Sequence, residues 1–125
     1  MAGNKKKIVI VEDSQKISFV LKEVLESENY EVFWANNGIE GIRLIRREKP
    51  DLVLLDLLLP KISGYEVCSM VKRDNNLRHI PILVISTLSD PQYMKKAKLC
   101  GAEKYMKKPY QLDNLLSEIK KMLGG

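Results

Sequence analysis

The sequence predicts an α/β fold in which five helices cover both faces of a doubly wound, five-stranded parallel sheet. Three observations carry that reading. Short apolar runs alternate five times with amphipathic stretches, the runs are apolar throughout instead of at every second residue, and short connections join them. A strand covered on both faces reads as a continuous apolar run, and crossover helices are what cover it.

Residues 7–12 (KIVIVE) form the first strand, β-branched and leading into two acids, Glu12 and Asp13. Ser14 caps the following helix, in which Ile17, Val20, Leu21, Val24 and Leu25 recur at helical spacing to about residue 28. The second strand, 31–35 (EVFWA), is less uniformly aliphatic and belongs nearer an edge. Asn36, Asn37 and Gly38 turn the chain into a helix over 39–48, closed by Pro50. The run 51–56 then drives four consecutive apolar residues into a lone carboxylate, Asp56, with Pro60 and Gly64 punctuating the next stretch of chain. Gly64 opens a third helix carrying Val67, Cys68 and Val71 and ending near residues 74–76. The fourth strand, 81–86 (PILVIS), finishes on the hydroxyls of Ser86 and Thr87. Asp90 and Pro91 start the fourth helix, and Gly101 stops it as a C′ glycine. A short fifth strand over 103–107 precedes Lys108 and Pro109. Leucines and isoleucines from Leu112 to Leu123 stripe the last helix, which ends at Gly124 and Gly125.

Composition narrows the class. A chain of 125 residues, 45% hydrophobic and 30% charged, is the length and make-up of one globular domain, neither disordered nor fibrous. No repeat, linker or apolar run of roughly 18 residues interrupts it, so no membrane span is expected. The basic N-terminal stretch holds only IVIV as apolar core, too short for a signal peptide. Cys68 and Cys100 lie far apart without CxxC spacing, as expected for reduced packing residues in a cytoplasmic protein. Residues 91–125 carry eight lysines against Glu103, Asp113 and Glu118, which accounts for the whole formal charge of +5. Lysines without arginines or a groove-reading motif suit a solvated or protein-facing surface, so direct nucleic-acid binding is not expected. His79 stands in a loop without a second ligand beside it.

In a parallel sheet the carboxyl ends of the strands share one rim, which is where open α/β sheets place their ligands. That rim collects Glu12, Asp13, Asp56, Ser86, Thr87 and Lys108. Each residue alone has a plain structural use, as a cap, a strand end or a surface lysine. Together they suit phosphoryl chemistry. Crowded carboxylates favour a divalent cation such as magnesium, an aspartate can act as a nucleophile, and ammonium and hydroxyl donors match phosphoryl oxygens.

Four motifs go further: VED at 11–13, LDLLLPKISG at 55–64, IST at 85–87 and KKP at 107–109. In order and spacing they resemble the receiver domain of bacterial two-component response regulators over essentially the full 125 residues. The resemblance implies a single receiver domain, with no separate output domain in these residues, and the flavodoxin-like strand order 2-1-3-4-5. Asp56 would accept a phosphoryl group from a sensor histidine kinase or a histidine phosphotransfer protein. Glu12, Asp13, Asp56 and the backbone carbonyl of Leu58 would hold magnesium, Glu12 through a water. Lys108 and Ser86 would meet the phosphoryl oxygens, Pro109 would follow a cis peptide bond, and Ser86 and Tyr105 would form the switch, with Tyr105 swinging inward. The fourth helix, fifth strand and fifth helix would relay the signal to a downstream protein or output domain, or into a phosphorylation-linked dimer. Such a protein acts chemically only on itself and is not an enzyme towards outside substrates.

The sequence departs from the family's commoner residues at Glu12 for Asp, Ser86 for Thr and Thr87 for Ala. Apolar Leu58 and Leu88 occupy the two positions that tune hydrolysis in this family, which implies slow loss of phosphate. Other readings have less support. An aspartyl phosphatase would carry a second Asp where Leu58 stands, and a flavin protein would show phosphate-cradling loops. A receiver cut from a longer regulator, or a degenerate one acting by binding alone, keeps every motif.

Overall fold

A computed structural model describes residues 5–124. The first four residues of the N-terminal stretch and Gly125, the second of the terminal glycines, lie outside the described residues. The elements run β1 (Lys7–Val11), α1 (Gln15–Ser27), β2 (Glu31–Ala35), α2 (Gly38–Glu48), β3 (Leu52–Leu55), α3 (Gly64–Arg73), β4 (Ile82–Ser86), α4 (Pro91–Leu99), β5 (Lys104–Lys107) and α5 (Leu112–Met122). The sheet is parallel, in the order β2-β1-β3-β4-β5. The predicted strand order and the edge position of β2 are both present.

Continuous apolar runs have their explanation in two cores on opposite faces of the sheet. Val9, Val11, Val53, Leu55, Ile82 and Val84 pack under α2, α3 and α4. Their sequence neighbours Ile8, Ile10, Leu52, Leu54, Leu83 and Ile85 pack under α1 and α5. Alternate side chains of one strand point to opposite faces, so the inner strands β1, β3 and β4 are apolar along their buried runs, while the edge strands β2 and β5 carry charged residues.

Local signals set the helix ends. The Ser14 hydroxyl accepts from the Ile17 amide, and Ser63 and Glu66 form a reciprocal capping box at the start of α3. Asp90 precedes Pro91 as expected, but its side chain makes no capping bond. Gly101 adopts φ +104°, and the amides of Gly101 and Ala102 bond back to the carbonyls of Lys98 and Ala97. That double bond is a Schellman stop, which favours glycine because the left-handed region crowds a Cβ. Predicted and observed boundaries differ by one residue at five of the ten strand ends, because the flanking residues leave the ladder to form loops.

Packing brings together two residues that the chain keeps apart. Cys68 and Cys100 are neighbours across α3 and the end of α4: the Cys68 thiol donates to the Cys100 carbonyl at 3.3 Å. Both are free thiols, and burial, the larger cause, together with the neighbouring Cys100 pushes Cys68 up to about 12. It is an inert packing group.

Candidate functional site

The strand order reverses between β1 and β3, and the loops leaving these two strands diverge to open a crevice. Glu12 and Asp13 leave β1 at this point and Asp56 leaves β3. The register Val11↔Leu55 sets Glu12 and Asp56 side by side. Gly64 holds the far side of the Asp56 loop close, since a Cβ there would collide with the Asp56 carbonyl oxygen. Lys108 arrives from the end of β5, its amide bonded to the Ser86 carbonyl and followed by a cis bond to Pro109.

The two buried carboxylates are held in the same way. Glu12 accepts the Ser14 amide on one oxygen (3.0 Å) and Lys108 Nζ on the other (2.7 Å). Asp56 accepts the Leu58 amide on one oxygen (3.1 Å) and the same Nζ on the other (3.0 Å). Each acid is thus oriented by a backbone amide two residues on, and one ammonium bridges them. Asp13 is exposed at the mouth, and one oxygen from each of the three acids lies within 4.8 Å of the others.

Burial pushes the Glu12 carboxyl above the ordinary range, and the Asp56 charge adds to it, more than the bonds from Lys108 and Ser14 pull it back. Burial opposes the Lys108 charge, but bonds and Coulomb attraction from both acids outweigh it and raise the ammonium's pKa. Three carboxylates facing one ammonium leave negative charge in excess. A cluster of hard oxygen donors with that excess fits magnesium, and Glu12, Asp13 and Asp56 are the side chains that could hold it.

The model of the response regulator receiver domain matches residues 8–120 of this sequence. The chain belongs to that family. Polar-differentiation response regulator DivK of Brucella anthropi is 34% identical over 119 residues, covering 95% of this chain and 97% of that protein. The receiver domain of a signal transduction histidine kinase from Syntrophus aciditrophicus superposes with a TM-score of 0.89 at 36% identity, covering 96% of this chain and 91% of that one. A CheY-like receiver domain protein from Methanospirillum hungatei does so with a TM-score of 0.89 at 31% identity, covering 95% and 94%.

This receiver domain brings Glu12, Asp56 and Lys108 into contact and sets Asp13 beside them. Ser86 is fully buried one strand away, its hydroxyl accepting the Leu88 amide, while Thr87 is exposed. Leu58 touches Asp56 through its amide, and its side chain is exposed. Tyr105, expected to swing inward, is already half-buried, with its hydroxyl donating to the Leu88 carbonyl. Lys95 and Lys98 line a cleft between α4 and β5. Lys96 instead turns to α3 and lies 4.4 Å over the Tyr65 ring. Sequence reasoning missed Trp34: its indole donates to the Glu12 carbonyl at 2.7 Å and ties the β1–α1 turn to β2. Nothing local in EVFWA marks that role, because the bond joins residues 22 positions apart.

Proposed function

We propose that this receiver domain is a phosphorylation-switched signalling module that takes a phosphoryl group onto Asp56. The bridging of two buried carboxylates by one lysine beside a third, exposed acid carries the reading. In the transfer, a carboxylate oxygen of Asp56 attacks phosphorus of a donor phosphohistidine, the P–N bond breaks and the imidazole leaves with its electron pair. Lys108 moves from the Asp56 oxygen onto the arriving phosphoryl oxygens, and the Ser86 hydroxyl, at the carboxyl end of the neighbouring strand β4, donates to another. Asp13, Asp56, the Leu58 carbonyl and, through water, Glu12 would hold magnesium, which would supply the charge neutralisation that phosphoryl transfer requires.

The surface supports a protein donor. Phe19 and Val20 are 62% and 53% exposed on α1, close after the acidic turn, where a docking helix pair of a histidine kinase or phosphotransfer protein would cover them. Lys95, Lys98 and Lys104 rim the α4–β5 cleft over Met94 and Ala97, a face suited to an acidic downstream protein. Tyr105 lies at its edge, so its hydrogen bond to the β4–α4 loop links that face to Ser86. No helix among the described residues is long and apolar enough to cross a membrane, in keeping with a cytoplasmic setting as part of this proposal.

Intact mass after incubation with acetyl phosphate tests the reading. We expect a magnesium-dependent gain of about 80 Da, one phosphoryl group, that disappears in Asp56→Asn. Absence of any adduct would favour the second reading, a degenerate receiver that signals by binding alone.

A further inference from the structure

The two edges of the sheet are guarded differently. β5 (KYMK) carries Lys104 and Lys107 at its ends, the charged flanks that keep an exposed edge from pairing. β2 (EVFWA) has an acid only at its first residue, and no proline or lysine. In the β1–β2 ladder the Glu31 amide bonds to the Lys6 carbonyl, and the Ala35 carbonyl accepts the Glu12 amide. Parallel ladders use alternate residues, so Glu31, Phe33 and Ala35 face β1. Val32 and Trp34 therefore direct their N–H and C=O groups outward. Beside that edge runs a cleft of about 430 Å³, bounded by Trp34, Ala35 and Asn36 and, from α2, by two arginines, Arg43 and Arg47, against one acid, Glu40.

We infer that this edge binds an extended acidic segment of a partner protein by strand addition. Outward backbone groups of Val32 and Trp34 supply the pairing, and alternate residues of the added strand face α2. There they meet Arg43 and Arg47, one turn apart. Arg43 is held by an exposed pair with Glu40 (2.8 Å) and is free to exchange it; Arg47 meets the mostly sheltered Glu48 (2.9 Å), which Lys7 also pairs with, so two cations share that one carboxylate. A second copy of this chain fits worse. Pairing β2 with β2 across a twofold would bring two α2 helices together, each with Arg43, Arg46 and Arg47 against Glu40 and Glu48. The inference does not depend on phosphorylation of Asp56.

The test is amide chemical-shift mapping and hydrogen exchange on the full chain with an eight-residue peptide alternating Glu and Val. The expected result is shifts and slowed exchange centred on the Val32 and Trp34 amides, weakened by salt. Binding should be about tenfold weaker or more for a Lys-Val peptide and for Arg43→Glu with Arg47→Glu. Those side chains are 70% and 69% exposed, so the double variant should fold, which unchanged amide chemical shifts away from α2 and an unchanged urea-unfolding midpoint would verify. Three results would each overturn the inference: no shift at any peptide concentration, shifts centred on the α4–β5 cleft, or protection of Val32 and Trp34 that grows with protein concentration alone. The last would assign the edge to a second copy.

Discussion

Two lysines stand at opposite ends of the sheet, equally sheltered, and do different work. Lys108, at the carboxyl ends of the strands, is 16% exposed; Lys72, at the amino ends, is 14% exposed. Lys72 Nζ donates to the Arg78 and Ile80 carbonyls (3.1 and 2.7 Å) and to Glu103 (2.6 Å). Glu103 in turn accepts the Ile82 amide at 2.8 Å. One ammonium there meets one carboxylate, and the remaining donors meet neutral carbonyls. The charge closes, and the result is a latch joining α3, β4 and the turn before β5. Lys108 meets two buried acids with a third beside them, and the charge stays open. Burial of a lysine among oxygens therefore does not identify a site. The excess of acid does, because only an open balance leaves room for a cation or a charged substrate.

Removing each lysine breaks the comparison most directly. Lys108→Ala leaves two buried carboxylates facing each other and should cost about 3–5 kcal/mol in urea unfolding at neutral pH. Magnesium should restore most of that loss. Lys72→Ala leaves Glu103 half-exposed and two carbonyls without a donor, for about 1–3 kcal/mol. Magnesium should restore none of it. If magnesium rescued both variants equally, or neither, the distinction between open and closed charge would fail.

Asp13→Asn sharpens the comparison from the ligand side. The residue is exposed and makes no ion pair among the described residues, so stability without metal should change by less than about 0.5 kcal/mol. Magnesium affinity should nonetheless fall about tenfold or more. The single tryptophan, Trp34, bonded to the Glu12 carbonyl, provides the fluorescence signal for that titration.

Smaller effects concern what surrounds the open site. Leu58 and Leu88 give no polar group to an attacking water, so Leu58→Asn with Leu88→Glu should shorten the lifetime of the phosphorylated form severalfold. Decay of the mass adduct measures it, and an unchanged rate would remove these residues from the account.

Cys68 is buried beside the Lys72 latch, and the charges of Lys72 and Glu103 act on its thiol in opposite directions. Its pKa is raised to about 12 from 9.0, so the folded state keeps a proton that the unfolded state loses. Its contribution to stability is therefore complete below about pH 9 and is lost as pH rises towards 12. Unfolding midpoints should fall over that window, less steeply in Cys68→Ala. In the native protein at pH 8, iodoacetamide should modify Cys100 and spare Cys68.

Much of this molecule was legible in its residues. Continuous apolar runs required a sheet covered on both faces, Ser14 and Gly101 marked helix ends, and the acids ending two central strands pointed to the rim. These signals are local: periodicity, caps and turn residues act within a few positions. What the tertiary structure decided depends on contacts between distant residues. Lys108 meets Glu12 across 96 positions and Asp56 across 52, so the sequence could assemble the rim but not say which lysine bridges which acids. The same holds for Trp34 on Glu12, for Cys68 against Cys100, for the turn of Lys96 towards Tyr65, and for the outward-facing backbone of β2. Which groups meet, and whether their charges balance, depends on how the two helical layers seat on the sheet, and no run of neighbouring residues encodes that packing.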